Sequence, residues 1–319
     1  MRIGIMIGPD RGRYREKVPR MVAGAQAAEA AGFSSVWVPQ IPSDFDALTA
    51  ITLMAQATER IELGTAVLPI QTRHPVAMAQ QVLSTQEVAE GRLTVGLGPS
   101  HHWIVEDMLG LSYDKPAKQV RDYLEVLNVA FAGPGPVDVE NDTWRLHNPL
   151  DVTDRPPTPI LLAALAPLML KIAGEQTQGT ILWMADQRAI GDHVVPKITA
   201  AAEAAGRPAP RVVAGVPVCL CPEDDVDAVR AFTNEVLGHA EYSPNYQRLL
   251  EQGDARDVGD MLAGGSETAV AAELASYADA GVTDLSIRVV PWGADGRARF
   301  ASRQRTEAFC ASLAGTFGG

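Results

Sequence analysis

The stretch GRLTVGLGPSHHW, residues 91–103, is the most informative part of the chain about its fold. It predicts a tight turn, a fully apolar strand, and two histidines directly after the strand ends. An apolar run without alternation is typical of a parallel strand that is buried on both faces. Parallel α/β proteins carry their polar chemistry at the carboxyl ends of such strands. We therefore expect His101 and His102 to lie at a functional site.

The remainder of the chain repeats this strand-and-helix pattern. Helical spacing fills most of the intervals between strands, as in Val120, Leu124 and Leu127. A dinucleotide-binding doubly wound sheet would show a Gly-x-Gly-x-x-Gly turn after the first strand, and none is present. The pattern therefore favours an α/β fold of the (β/α)8 TIM-barrel class. The eight predicted strands cover residues 2–8, 34–39, 61–68, 92–98, 159–164, 179–184, 211–219 and 283–290.

Two segments interrupt the alternation within what we predict to be one domain, residues 1–319. Residues 132–158 are rich in proline and predict a hairpin around Asn141-Asp142. They follow a helix, so we expect them at the bottom of the barrel, away from the chemistry. Residues 239–265 follow the seventh strand and its helix and include several glycines. We expect this second insertion to be mobile and to cover one side of the barrel mouth.

The composition excludes several classes of function. A formal net charge of −12 argues against a nucleic-acid partner. The chain has no run of eighteen apolar residues, and its first strand is too short for a secretion signal, so we expect a cytoplasmic protein without membrane contact. Three cysteines are too few for a disulfide framework. They also argue against a tetrahedral metal site, which needs three or four ligands, because Cys219 and Cys221 lie one residue apart and Cys310 stands alone near the end. We therefore expect no bound metal.

Four motifs resemble the bacterial luciferase-like superfamily, and within it the deazaflavin-dependent oxidoreductases of actinobacteria. The resemblance extends from residue 1 to about residue 290. It implies a TIM barrel that binds coenzyme F420, with FMN as the alternative cofactor because flavin members share these motifs. It also implies a homodimer that acts on a small-molecule substrate. The motifs are GTAVLP at 64–69, TRHP at 72–75, GRLTVGLG at 91–98, and AALAPLML at 163–170 followed by AGE at 173–175.

The resemblance places the flat tricyclic ring of the cofactor in the barrel mouth, beside Gly98. The ring would lie against a bulge in the third strand at Ala66–Val67, where deazaflavin members commonly carry a cis peptide. The local sequence alone favours the alternative that Ala66 and Val67 are ordinary strand residues. The cofactor's phosphate would meet the turn Ala164-Leu165-Ala166, since small residues leave backbone N–H groups open to an anion and a helix N-terminus favours negative charge.

Gln40 departs from the family pattern. Sugar-phosphate dehydrogenases of this superfamily carry an acid and a histidine near the end of the second strand, and this chain has Gln40 there. An amide can hydrogen-bond a ring carbonyl or ring nitrogen of the cofactor, but it cannot exchange protons. This difference puts a sugar-phosphate substrate in doubt.

His101 is the predicted catalytic residue. It matches the position of a glutamate that serves as acid or base in the sugar-phosphate dehydrogenases. An imidazole, with an ordinary pKa near 6.5, suits proton transfer at neutral pH. The alternative is that one histidine caps the following helix and the other packs. We interpret His74-Pro75 as helix-start architecture.

Four further residues at strand ends are predicted to face the substrate: His102, Trp103, Trp183 and Arg288. Arg288 could pair with an anionic cofactor tail or substrate, or could form a salt bridge at the barrel rim.

Three functions remain open at this point. The first is hydride transfer between coenzyme F420 and a small organic substrate, which would be an activated C=C or C=O group or an alcohol. The second is an FMN-dependent monooxygenase. The third is a protein that binds and stores the cofactor without turning over.

Overall fold

The computed structural model describes residues 1–8, 15–154, 157–238 and 243–315. In the described chain, eight parallel strands close into a barrel, because the ninth strand in chain order pairs with the tenth. Each of the eight predicted strands overlaps one of them, and the predicted (β/α)8 TIM barrel is confirmed. The strands in chain order are β1 Arg2–Met6, β2 Ser35–Val38, β3 Glu62–Thr65, β4 Leu68–Pro69, β5 Leu93–Gly98, β6 Gly135–Glu140, β7 Arg145–Leu150, β8 Ile160–Leu162, β9 Gly179–Trp183, β10 Arg211–Leu220, β11 Ala263–Gly265 and β12 Asp284–Val289.

Helices surround the barrel, and the first six of them pack against one another in sequence order. Four of the described helices begin with a side-chain cap, which is Asp46, His74, Ser266 or Asp295. Asp46 Oδ1 accepts a hydrogen bond from Thr49 N at 2.9 Å, and His74 Nδ1 accepts one from Val76 N at 3.3 Å. The interpretation of His74-Pro75 as helix-start architecture is therefore confirmed. The helices are α1 Lys17–Ala31, α2 Ala47–Ala57, α3 Pro75–Val88, α4 Pro116–Phe131, α5 Pro167–Gln176, α6 Val195–Ala204, α7 Val226–Leu237, α8 Pro244–Leu250, α9 Glu267–Asp279 and α10 Gly296–Ser312.

The described residues contain neither a helix suited to span a membrane nor a cluster of side chains suited to hold a metal ion. Among these helices, none combines the length and hydropathy that a membrane-spanning segment requires. The described residues also contain no group of three His, Cys, Asp or Glu side chains placed to share a metal ion.

The interior of the barrel is layered. A charged layer closes the end where the strands begin, which we call the bottom. There Arg211 contacts Glu62 and Asp284, both at 2.9 Å, and Arg2 Nε contacts Asp284 at 2.6 Å. Above it lies a small apolar cluster of Trp37, Leu161, Ile181 and Val213, which is separate from the main core between strands and helices. These two layers leave the opposite end, where the strands terminate, as the open mouth.

The third strand is interrupted by a bulge, as predicted. Gly64 pairs with Thr94, and Leu68 pairs with Leu97. Four residue steps on one strand therefore face three on the other, so one extra residue lies between β3 and β4. The Ala66–Val67 peptide within this bulge is cis.

The first insertion forms the predicted hairpin, with β6 and β7 paired antiparallel around residues 141–144. The prediction that this insertion lies at the bottom of the barrel is wrong for the turn of the hairpin. The hairpin folds back along α4, so the Trp144 ring lies 4.9 Å from the ring of His74 at the start of α3. The turn is held there because Asn141 Nδ2 donates to Asp122 O at 3.2 Å and Val137 and Val139 join the core. Residues 155–156 of this insertion lie outside the described residues.

The second insertion contains α8 and β11, and β11 extends the sheet beside β10. It packs on the mouth, as expected. Packing explains the glycine at position 253 in this insertion, because a Cβ there would lie 2.4 Å from the carboxylate oxygens of Asp186. Residues 239–242 lie outside the described residues, and the expectation of mobility stays a prediction.

Candidate active site

The candidate site begins where β5 ends. Ser100 has a φ of 59°, in the left-handed region that non-glycine residues seldom adopt. The backbone is held there from both sides: Tyr113 Oη donates to Ser100 O at 3.1 Å, and Gln71 Nε2 donates to Pro99 O at 2.8 Å. Uncommon backbone conformations that the surroundings enforce are found at functional sites. This geometry sets the position of the next residue, His101.

His101 is half-buried among aromatic rings. Its ring centroid lies 5.7 Å from that of Trp103, with an interplanar angle of 31°, and 5.7 Å from that of Tyr246, with an angle of 25°. Its carbonyl oxygen accepts hydrogen bonds from Ile104 N and Val105 N, both at 3.0 Å, so the backbone begins the helical turn after it. No side chain caps that turn. The alternative in which a histidine side chain caps the helix therefore has no support in this geometry.

The environment of His101 lowers its pKa. Burial is the larger cause, because it disfavours the charged imidazolium, and the neighbouring His102 adds repulsion. The imidazole is therefore neutral at pH 7. A neutral imidazole has one ring nitrogen that can accept a proton, which is the state a general base requires.

Two buried polar atoms near His101 have no hydrogen-bond partner within the described chain. They are Gln71 Oε1, an acceptor, and Trp103 Nε1, a donor. The other end of the Gln71 amide is engaged with Pro99 O. Buried polar groups in native proteins are nearly always paired, so a ligand or an ordered water would complete both.

The other predicted substrate residues occupy different parts of the mouth. The His102 ring lies against Tyr113, with centroids 6.4 Å apart, rather than in the stack around His101. Trp183 ends β9 and lies over Gly215, where a Cβ would be 2.6 Å from Trp183 Cε3. Arg288 is half-buried on β12, in register with Pro217 of β10.

The bulge that would support a planar cofactor lies between β3 and β4 and packs against β5. Thr65 Oγ1 donates to Gly96 O and accepts from Gly96 N, both at 2.8 Å. A Cβ on Gly98 would lie 2.9 Å from Val67 Cγ2 and 3.1 Å from Ala163 Cβ. The missing side chain of Gly98 therefore makes room for Val67. Gly98 would thus contribute to the predicted cofactor site indirectly, through the position of the bulge.

The turn at Ala164-Leu165-Ala166 is fixed by a residue that no sequence motif indicates. His193 Nε2 donates to Leu165 O at 2.8 Å. The turn leads into α5, whose first residue is Pro167 and whose N-cap residue Ala166 provides no side-chain cap. The first N–H groups of such a helix are left open to an anion.

Gln40 is already engaged by the protein. Its Oε1 accepts a hydrogen bond from Ala47 N at 2.8 Å, at the first residue of α2. The donor end, Nε2, is the end of this amide that could contact a ligand acceptor.

Tyr246 and Asp186 were also missed from the sequence. Both are single polar residues without a motif around them. Tyr246 reaches His101 from another part of the chain, and Asp186 binds the backbone of Asp254 and Ala255. The only available indication was that residues 239–265 follow the seventh strand and were expected to cover the mouth.

A family model described as luciferase-like monooxygenase matches residues 1–284. The chain is 28% identical over 207 residues to a 5,10-methylenetetrahydromethanopterin reductase of Methanolobus tindarius, covering 65% of this chain and 62% of that protein. It is 28% identical over 193 residues to a putative coenzyme F420-dependent oxidoreductase of Mycobacterium tuberculosis, covering 56% and 55%. The chain thus aligns with less than two thirds of the length of these two relatives.

Solved structures share the fold. The F420-dependent tetrahydromethanopterin reductase of Methanopyrus kandleri matches with a TM-score of 0.76 over 97% of each chain, at 22% identity. An F420-dependent secondary alcohol dehydrogenase, in complex with an F420-acetone adduct, matches with a TM-score of 0.76 over 96% of this chain and 97% of that one, at 17% identity. The FMN complex of the oxygenating constituent of 3,6-diketocamphane monooxygenase from Pseudomonas putida matches with a TM-score of 0.75 over 99% and 98%, at 16% identity.

The closed barrel, the bulge after its third strand and the match of a family model to residues 1–284 agree with one another. The chain belongs to the luciferase-like monooxygenase family.

Proposed function

We propose that this protein is an oxidoreductase that transfers a hydride between coenzyme F420 and a small organic substrate, with His101 as acid or base. The observation that carries the proposal is the juxtaposition of a titratable imidazole with the bulge. Pro69, just after the bulge, pairs with Gly98, and His101 comes three residues later. The names of the two relatives, a methanopterin reductase and a putative F420-dependent oxidoreductase, support the same cofactor.

The residues at the mouth fit a planar ring with polar edges. Ala66 and Val67 present small apolar side chains at the bulge, which packs on Gly96 and Gly98. The unpartnered Gln71 Oε1, on an amide bound to Pro99 O, and Trp103 Nε1 supply an acceptor and a donor around the end of β5. The N-terminus of α5, behind Ala164–Ala166, suits the phosphate of the cofactor tail. Gln40 Nε2 could donate to an acceptor on the ring.

The bound deazaflavin would supply or accept the hydride. The chain's own part is to hold the substrate and move a proton. In alcohol oxidation, the neutral His101 accepts the hydroxyl proton at a ring nitrogen. In carbonyl reduction, the imidazolium of His101 returns a proton to the oxygen. Because the pKa of His101 is lowered, the base form predominates at neutral pH.

The alternative is an FMN-dependent monooxygenase, favoured by the description of the family model and by the structural match to an FMN complex. Reduced flavin activates dioxygen, whereas deazaflavin is confined to hydride transfer. We further propose a cytoplasmic homodimer that acts on a small molecule, with residues 1–319 as one domain and without a bound metal.

Titration of the purified apoprotein with each cofactor, followed by fluorescence, distinguishes the two functions. The proposal expects tighter binding of coenzyme F420. FMN binding that is tighter by about tenfold, which corresponds to about 1.4 kcal/mol, together with oxygen uptake in the presence of reduced FMN, would reverse it. Tight binding without turnover across alcohols, ketones and activated alkenes would instead indicate a cofactor-storage protein.

A further inference from the structure

We propose that Tyr246 is a positioning residue for His101, and that residues 243–262, here named the α8 segment, form a wall of the active site that Asp186 anchors. This inference rests on the proposed role of His101. Tyr246 lies 145 positions from His101 in the chain, and their rings are stacked with centroids 5.7 Å apart. The contact therefore exists only because the α8 segment folds onto the mouth.

Asp186 holds the α8 segment by its backbone. Its Oδ2 accepts hydrogen bonds from Asp254 N at 2.6 Å and Ala255 N at 2.7 Å, and its Oδ1 accepts one from Ala189 N at 2.8 Å. Asp186 is buried and lies three residues after the end of β9. Charged acceptors make stronger hydrogen bonds than neutral ones. One carboxylate thus joins the end of a barrel strand to the α8 segment.

Glycine at position 253 permits this close approach. A Cβ there would lie 2.4 Å from both carboxylate oxygens of Asp186, too close for any other residue without a shift of the chain. The α8 segment also has an apolar contact surface of its own. Tyr246 packs in a cluster with Trp183, Met184, Val258 and Met261, which joins the segment to the end of β9.

The stacked phenol has a direct consequence for His101. It covers part of the imidazole and limits the rotations available to it, so it favours one orientation of the ring nitrogens. It also contributes to the burial that lowers the pKa of His101. Among the residues that the structure describes, the titratable groups that face the imidazole are His102, on its own loop, and the phenol of Tyr246, on α8. Burial raises the pKa of that phenol, which therefore stays neutral in the range where His101 titrates.

The test is an NMR titration of the histidine side chains of the full-length protein without cofactor, with the His101 resonance assigned from H101A. In the wild type, His101 should titrate below 6.5. In Y246A its midpoint should move up toward 6.5, whereas Y246F, which keeps the ring, should match the wild type. Y246L, which keeps apolar volume without a ring, serves if Y246A does not fold. The His193 resonance reports that the barrel is intact.

A second pair of variants tests the anchor. D186N should shift the His101 midpoint in the same direction as Y246A, because the amide accepts the two N–H bonds less well and the α8 segment loosens. D192N, at an exposed aspartate in the same connection, should leave the midpoint unchanged. Equal midpoints in Y246A, Y246L and the wild type, or an equal shift in Y246F, would overturn the inference. Because the titration needs neither cofactor nor turnover, its outcome is independent of whether hydride transfer is the reaction.

Discussion

The reactivity of His101 depends on how its imidazole is surrounded. The ring is half-buried between Trp103 and Tyr246, and the backbone before it is held by Tyr113 and Gln71. A group held in this way needs little reorganisation to transfer a proton. Its neutral state at pH 7 follows from burial, so the same contacts that position the ring also prepare it to act as a base.

Replacement of His101 by alanine should lower turnover by about a hundredfold or more, which is the usual effect of losing one acid–base group. Cofactor affinity should be retained, since the bulge and the α5 turn are unchanged. Steady-state kinetics and cofactor titration measure the two effects. H147A, at an exposed histidine of the hairpin, is the matched control and should keep wild-type turnover. Wild-type turnover in H101A would remove His101 from the mechanism.

The pH dependence of kcat/KM for alcohol oxidation should show an acid limb with its midpoint below 6.5. The sign follows from the lowered pKa: His101 remains a free base down to that pH and loses activity only when it is protonated. Activity should therefore be flat through neutrality. The limb should be absent from the residual activity of H101A. A midpoint above 6.5 would contradict the burial that the structure shows.

The bulge between β3 and β4 is the element that shapes the mouth. It inserts one residue relative to β5 and turns Val67 toward Gly96 and Gly98, which lack side chains. Its ends are fixed by the paired hydrogen bonds between Thr65 and Gly96. Changes on β5 should therefore act on the bulge, even though they lie on another strand.

Gly98→Ala should lower the free energy of unfolding by about 1–3 kcal/mol, the usual cost of overpacking. The added methyl would lie 2.9 Å from Val67 and 3.1 Å from Ala163, closer than well-packed side chains approach one another. Urea unfolding measures the change, and cofactor titration should show weaker binding. In a double-mutant cycle, V67A should recover part of the loss. Gly296→Ala, where a Cβ meets nothing within 4 Å, is the control. Equal stability of G98A and the wild type would show that the bulge does not depend on Gly98.

The charged layer at the bottom of the barrel acts on the whole molecule, because it joins β1, β3, β10 and β12. Glu62 is mostly buried and contacts Arg211 at 2.9 Å, and Thr94 Oγ1 donates to it at 2.6 Å. Burial alone would raise the pKa of Glu62, but Arg211 and Arg2 more than offset it, and the pKa is lowered from 4.5. The pKa of Asp284 is lowered by the same two arginines, again against the effect of burial.

Acid should therefore destabilise the barrel through this layer. As the pH falls below 4.5, the unfolded glutamate binds a proton while the folded Glu62 stays ionised, so the stabilisation is lost as the pH approaches the folded pKa. E62Q should be less stable than the wild type at neutral pH by about 3 kcal/mol, because it leaves two partly buried arginines with one carboxylate, Asp284, instead of two. Its stability should also fall less steeply in acid. Urea unfolding across pH measures both effects. E140Q, at an exposed ion pair of the hairpin, should change stability by less than about 0.5 kcal/mol, and an equally small change in E62Q would contradict the argument.

The barrel and the position of His101 could be predicted from the chain because their signals are local. An apolar run ending in polar residues predicts a buried parallel strand and places those polar residues at its carboxyl end, as in residues 91–103. The helix start at His74-Pro75 likewise depends on neighbouring residues alone. The bulge at Ala66–Val67, by contrast, was implied only by the resemblance to the luciferase-like superfamily, because the local sequence alone favours ordinary strand residues there.

No local sequence pattern predicted the contacts that form the wall of the site. Tyr246 stacks on His101 across 145 positions, Asp186 binds the backbone of Asp254 and Ala255, and His193 fixes Leu165. Each contact joins distant segments, and no periodicity or spacing within either segment reports it. The hairpin shows the same limit: its turn was evident from Asn141-Asp142, but its direction along α4 depends on where its apolar side chains find the core. The elements thus follow from neighbours along the chain, whereas the environment of the imidazole follows from packing between elements that only the folded barrel brings together.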